Sequence, residues 1–176
     1  NSAALSPVSS VASFFISRTD TEVDRRLDDI GTETSLRLKG KTAVAQAQMA
    51  YKLFLEQFST ERWKALESNG AKIQRPLWAS TSTKNPTYDD TLYVDQLIGP
   101  NTVNTLPDGT LKAFAQHGTL SRTIDQSFGE AAAVLEAVEN TGIDLADVAQ
   151  KLEDDGVKSF QASFMNLLDT LSKKAE

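Results

Sequence analysis

The sequence predicts an α/β fold built on a short parallel sheet, followed by an all-helical C-terminal stretch. Three observations predict it. First, three β-rich runs, SVASFFISR (Ser10–Arg18), PLWASTS (Pro76–Ser82) and TVNTL (Thr102–Leu106), each precede a helical pattern, and this alternation is what βαβ units produce. Second, the first run is apolar at successive positions, as in a strand covered on both faces. Third, the periodicity from Ile124 to Leu171 is helical without a strand-like interruption. Three strands are too few to close a barrel or to bury both faces of an open sheet, so the pattern reads as part of a larger α/β fold.

The elements follow in chain order. The chain opens at Asn1 without a methionine or a signal-peptide pattern. Leu5, Ser6 and Pro7 read as a helix end or loop immediately before the first strand, so the chain is expected to enter mid-fold. That strand runs from Ser10 to Ser17 and leaves Arg18 at its end. Thr19 and Asp20 offer an N-cap, Val23, Leu27 and Ile30 recur at helical spacing, and Gly31 stands at C′. After Gly40, Val44, Ala47, Tyr51, Phe54 and Phe58 share one helical face. Ser59 is expected to cap a further helix with Trp63 and Leu66, closed by Gly70.

The second strand, Pro76–Ser82, begins on proline, which a first position tolerates. It gives way to Thr83, Lys84, Asn85 and Pro86. A short helix carries Leu92, Val94 and Leu97. The third strand precedes a helix from Pro107 to His117, stopped by Gly118. In the tail, Ala132, Leu135 and Val138 lie on one face. Asp144 is expected to cap the next helix, with Val148 and Leu152 inward and Gly156 ending it. Phe160, Phe164, Leu167, Leu168 and Leu171 form the stripe of the last helix, and no large exposed apolar stripe is expected.

The composition narrows the function classes. The 176 residues are 40% hydrophobic and 24% charged, with 18 Lys plus Arg against 24 Asp plus Glu. The net charge of −6 argues against nucleic acid, whose binders carry a basic surplus. Small phosphorylated ligands need only local positive charge and stay open. No run approaches the roughly 20 apolar residues that span a bilayer, so no membrane partner is expected. The absence of cysteine removes disulfides, thiolate catalysis and cysteine-bound metal, and fits a cytoplasmic setting.

In α/β folds the site lies at the C-terminal ends of the strands. Two such ends here each pair hydroxyls with a cation: Ser13 with Arg18, and Ser80 and Ser82 with Lys84. Neighbouring strands so equipped form a phosphate clamp, because a hydroxyl donates one bond and a guanidinium donates two in a fork. The alternative is that Arg18 and Lys84 are solvated charges at strand ends. His117 is the only histidine and reads as a helix-end residue. No triad or metal loop can be built around it, and no metal is expected. Asp20, Glu22, Asp24, Asp28 and Asp29 read as a solvated outer helix face. Trp63 and Trp78 read as core. Lys84 lies in a polar loop that nothing desolvates, so by its chemistry the chain holds no suitable Schiff-base lysine.

SVASFFISRTD, PLWASTSTKNPTYDDTLYVDQLIGPNTVNTLP and GIDLADVAQKLEDDGVKSFQASFMNLLDTL together resemble the transaldolases of the longer bacterial type. The resemblance covers Ser10 to about Leu171. It implies a TIM (β/α)8 barrel, with the three strands here as its sixth, seventh and eighth. Residues 1–176 would then form one partial domain, 1–118 the last three βα units and 119–176 the helical extension. It further implies an enzyme of the pentose phosphate pathway that moves a dihydroxyacetone unit from sedoheptulose 7-phosphate to glyceraldehyde 3-phosphate, with no metal or organic cofactor. The family's Schiff-base lysine stands on the fourth strand, and its acid–base groups on the first, third and fifth. None of these has a counterpart here, so no catalytic residue is expected in this chain. The remaining N-terminal part of the barrel is then its partner.

Matched residue by residue, Ser13 falls on the sixth-strand serine, Arg18 on the phosphate-binding arginine after it, and Ser82 on the seventh-strand serine. Ser80 remains an alternative to Ser82. Lys84 stands where shorter members carry arginine, which keeps the charge and loses the fork. The commonest barrel phosphate site follows strands seven and eight; the matched cations put this one after six and seven. Two other readings are a fructose 6-phosphate aldolase-like lyase, against which the long helical tail argues, and a non-catalytic helical interaction module.

Overall fold

A computed structural model describes residues 7–175, so the expectation for Leu5 and Ser6 lies outside the described residues. The elements are β1 (Ser10–Phe15), α1 (Ser17–Ile30), α2 (Glu33–Leu36), α3 (Thr42–Gln57), α4 (Glu61–Glu67), β2 (Gln74–Ala79), α5 (Leu92–Asp95), β3 (Val103–Asn104), α6 (Asp108–His117), α7 (Phe128–Glu139) and α8 (Leu145–Ala175). The strands form one parallel sheet in the order β1-β2-β3, as the alternation of runs and helices predicts. β1 pairs with β2 from Ser10↔Gln74 to Phe15↔Ala79, and β2 pairs with β3 at Leu77↔Val103 and Trp78↔Asn104. Pro76 is the third residue of β2 rather than its first, but it stands just outside the β3 register, so its missing N–H removes no bond to β3. β1 is an edge of the described sheet, and Val11 and Phe15 on it are exposed.

The first strand ends earlier than the sequence suggests. Ile16 N still donates to Ala79 O at 2.9 Å and Ser17 N to Ser80 O at 3.1 Å, so the ladder continues while the backbone at Ile16 has already turned helical. Arg18, Thr19 and Asp20 therefore lie in the first turn of α1, and no side chain caps it. Its other end matches expectation. Gly31 takes the left-handed conformation at φ +67° and returns its N–H to Leu27 O, a geometry in which a Cβ is strained. Thr60, not Ser59, caps α4 by accepting from Trp63 N at 3.2 Å. Asp144 accepts from Ala146 N and Asp147 N at the start of α8, as a cap should.

Two apolar clusters hold the helices to the sheet. Ile16, Ala43, Ala47, Tyr51, Trp78, Tyr93, Leu97 and Ile124 form the larger one. Trp78 is 1% exposed and donates Nε1–H to Leu97 O at 3.2 Å. The smaller cluster joins Val23 and Leu27 of α1 to Val138, Ile143 and Val148, which fixes α1 against α7 and the start of α8. Arg26 adds an ion pair to Asp147 at 2.7 Å across this seam.

The tail departs most from expectation. Gly156 does not end a helix; α8 runs unbroken through it to Ala175. An interior glycine costs a helix about 1 kcal/mol, which the Lys151–Asp155 ion pair and the Gln150–Asp154 hydrogen bond one turn apart help to offset. Beyond Gly156 the apolar stripe is uncovered: Phe160 is 65% and Phe164 59% exposed, and Leu167, Leu168 and Leu171 are exposed with them. The expectation that no such stripe exists is overturned. A helical period fixes which residues share a face, but not whether anything packs on it. No helix among the described residues is long and apolar enough to cross a membrane.

Candidate functional site

The sheet register brings the sequence-predicted residues to one end of the molecule. Phe15 and Ala79 are paired at the C-terminal ends of β1 and β2. Arg18 and Ser82 stand equally far beyond them, on the start of α1 and on the β2–α5 loop. Ser13 lies within β1 opposite Leu77. On the β2 side, the Lys84 ammonium donates to Ser82 Oγ at 2.7 Å. On the β1 side, the Arg18 guanidinium carbon lies 4.8 Å from the centre of the Phe15 ring, a stacking that favours a planar cation. Gly156 of α8 passes above it: a Cβ there would meet Arg18 Nη1 at 3.6 Å. Gly156 is buried at this contact, and the approach leaves room for a Cβ and little more. Among the described residues, no hydrogen bond joins Ser13 or Arg18 to the Ser82–Lys84 pair.

The loop that carries Ser82 and Lys84 is tied down along its length. Ser80 holds a left-handed backbone at φ +55° directly after β2, a conformation that costs a non-glycine residue about 1 kcal/mol. It turns the chain out of the sheet while its carbonyl accepts from Ser17 N. Thr81, fully buried, donates to Asn104 Oδ1 at 2.8 Å. Ser82, Thr83, Asp90, Pro107 and Thr110 line a hollow of about 380 Å³ between this loop and α6.

Two buried carboxylates of α1 hold α5 and the loop before it. Asp20 is 2% exposed and accepts from Ala43 N at 2.7 Å and from Tyr93 Oη–H at 2.8 Å. Asp24 is 8% exposed and accepts from Gly40 N at 2.9 Å and from Tyr88 Oη–H at 2.5 Å. Burial pushes the Asp20 carboxyl up to about 6 and raises Asp24 as well. It also raises both tyrosines, which face ionised acids. The Asp20 contact caps α3 from a neighbouring helix, since Lys41 supplies no side-chain cap, and the Asp24 contact holds the turn before it. The expectation that Asp20, Glu22 and Asp24 are solvated is therefore wrong. Glu22 is buried too, and the Arg25 and Arg26 guanidiniums hold its carboxyl down to about 2. Asp28 and Asp29 are exposed, as expected.

Sequence reasoning missed Asp20, Asp24, Tyr88 and Tyr93 as parts of this end of the molecule. A signal for the acids was present: 20, 23, 24 and 27 fall on one helical stripe with Val23 and Leu27, so a solvated assignment conflicted with the helix's own apolar face. For the tyrosines no local signal exists. His117 closes α6 and contacts Asp90 at 2.8 Å, which raises its pKa. Asp89, Asp90 and His117 each place a ligand-type atom within 4.8 Å of the others, all three residues being exposed, a grouping that spacing alone did not reveal. Trp63 is half-buried, edge-on to Phe58.

A family model described as Transaldolase/Fructose-6-phosphate aldolase matches residues 2–171. The chain belongs to this family. A transaldolase of Parafrankia sp. (strain EAN1pec) is 52% identical over 97% of this chain, covering 46% of the relative. One of Thermobifida fusca (strain YX) is 51% identical with the same coverage. A third, of Renibacterium salmoninarum, is 52% identical over 94% of this chain and 44% of its own length. The chain thus spans about half the length of the curated relatives it matches. Membership of the transaldolase family agrees with the small parallel sheet and its surrounding helices, which are those of an α/β fold.

Proposed function

We propose that this chain is the phosphate-binding part of a transaldolase, its strands being the sixth, seventh and eighth of a TIM barrel. Residues 1–118 then form the last three βα units and 119–176 the helical extension. The complete enzyme transfers a dihydroxyacetone unit from a ketose phosphate such as sedoheptulose 7-phosphate to an aldose phosphate such as glyceraldehyde 3-phosphate. The covalent step runs through a lysine Schiff base on another strand, so this chain supplies binding energy and orientation rather than the nucleophile.

The observation that carries the reading is the pairing of Lys84 with Ser82 at the same sheet end as Arg18. Two cations with hydroxyls on the same two strand–loop units suit a phosphate monoester, and Arg18, its guanidinium over the Phe15 ring, offers a two-pronged donor. The contact to Lys84 favours Ser82 over Ser80 as the seventh-strand serine, because Ser80 engages the sheet through its backbone. Lys84 is exposed and bonded to a hydroxyl, an environment that does not desolvate it into a nucleophile. The family also includes the aldolase, but the long α8 and the transaldolase relatives support the transferase.

The test is Arg18→Ala in the complete enzyme, compared on phosphorylated and unphosphorylated donors. Loss of a charge-assisted contact is worth about 1.5–3 kcal/mol, or about one to two orders of magnitude in phosphosugar affinity. Dihydroxyacetone as donor never uses that contact and is expected to change far less. Equal losses on both donors would show that Arg18 holds the fold and not the phosphate. A helical interaction module remains a second reading because of one observation, the uncovered apolar residues of α8.

A further inference from the structure

The two halves of the proposed clamp reside on different elements. Arg18 lies on α1, whereas Ser82 and Lys84 lie on the loop after β2. A loop alone does not hold two charges at a fixed separation from a third, since its backbone is the softest part of a fold. At its β2 end the loop is held by Thr81 to Asn104 of β3. Just past Lys84, Tyr88 reaches back to α1 and donates to Asp24 at 2.5 Å. Asp24 and Arg18 share one continuous helix, less than two turns apart. The Tyr88 ring is itself seated on the turn before α3. A Cβ on Gly40 would lie 2.8 Å from its Cζ, and Gly40, at φ +71°, gives its N–H to the same Asp24 carboxylate.

We infer that Tyr88 is a positioning residue: its hydroxyl bond to Asp24 sets the separation between the Ser82–Lys84 pair and Arg18, and so tunes the clamp for a phosphate dianion. The inference rests on the clamp reading above. Tyr88 touches no phosphate in this scheme. It acts by tying the loop to the rigid body that carries Arg18, so that little loop entropy remains to be lost on binding. Tyr93, bonded to Asp20 one turn earlier on α1, anchors α5 in the same way. It lies beyond the loop and deeper in the core, so its role is to hold the fold.

The experiment titrates the complete enzyme with inorganic phosphate at constant ionic strength, followed by amide and tyrosine-ring NMR signals. The variants are Arg18→Ala, Tyr88→Phe and the double substitution, each checked by thermal melting. Tyr88→Phe is expected to weaken phosphate binding by about tenfold, the effect of one hydrogen bond to a charged group, with its melting temperature within a few degrees of the parent. In the Arg18→Ala background the same change is expected to cost less than about twofold, because positioning matters only while there is a partner cation to position. A purely structural tyrosine would move the melting temperature and leave the dissociation constants additive.

Linkage supplies a measurement that needs no variant. If the Tyr88–Asp24 bond strengthens phosphate binding, phosphate must strengthen that bond, so saturating phosphate should slow exchange of the Gly40 amide and shift the Tyr88 ring signals. A folded Tyr88→Phe chain that binds as tightly as the parent, or unchanged Gly40 and Tyr88 signals at saturation, overturns the inference while the clamp survives. If the complete enzyme does not bind phosphate, or Arg18→Ala leaves binding intact, the clamp falls and the positioning role falls with it.

Discussion

Asp20→Asn gives a sharp test of the buried carboxylates. Burial raises the Asp20 carboxyl from its ordinary 3.8 to about 6, against the bonds from Ala43 and Tyr93 that favour ionisation. Such a rise means that the ionised acid fits the folded chain less well than the protonated one. The difference corresponds to about 3 kcal/mol. For a raised carboxyl, the stability associated with protonation is fully present below about pH 4, is lost as the pH climbs to about 6, and stays lost above it. Asparagine mimics the protonated acid. Its oxygen still accepts from Ala43 N–H, and its amide hydrogens face the Tyr93 hydroxyl, which then turns acceptor. The stability of Asp20→Asn relative to the parent is therefore expected to rise by about 3 kcal/mol between pH 4 and pH 7, and to be level above pH 7. Urea unfolding of both chains at unit pH steps measures it. Parallel profiles would refute the reasoning, and a variant that loses ground as the pH rises would show that the capping bonds outweigh desolvation. Asp24, also raised by burial, is present in both chains, and because its charge contributes to the rise at Asp20 the comparison reports the two carboxylates together.

Two further outcomes follow from packing. Gly156→Ala adds a Cβ at ordinary contact distance from Arg18, so phosphate titration should find affinity kept and chemical unfolding should find α8 more stable by about 0.5–1 kcal/mol; Gly156→Leu should push the guanidinium off Phe15 and weaken phosphate binding by about tenfold without unfolding the chain. Trp78→Ala should cost about 3–5 kcal/mol in urea unfolding, as the largest side chain of the main cluster is lost, whereas Trp78→Phe should cost less and leave Leu97 O without its donor.

Much of the fold was legible because it is local. Gly31 and Asp144 announce helix ends through the conformations and caps those residues favour. The runs at Ser10 and Pro76 announce strands through β-rich composition, and the helices between them require a parallel sheet. Boundaries were less legible. At Ile16 the strand's hydrogen-bond ladder and the helix's first turn overlap, and this overlap is what moved Arg18 from a strand end into a helix.

The candidate site divides along the same line. Composition and spacing alone put Ser13 within the first strand, Arg18 at its end, and Ser80, Ser82 and Lys84 at the end of the second, because register follows from parallel βαβ geometry. What the sequence could not reveal was burial against distant partners. Asp20 and Asp24 look like solvent-facing acids until Tyr93 and Tyr88, 73 and 64 residues away, fold onto them. Gly156 looks like a helix stop until Arg18 of α1 is found beneath it. The stripe of α8 looks like core until nothing packs on it. Helical period and strand alternation are properties of neighbours along the chain. Desolvation, close approach and cover depend on neighbours in space, and those are decided only when α1, the β2–α5 loop and α8 are brought together.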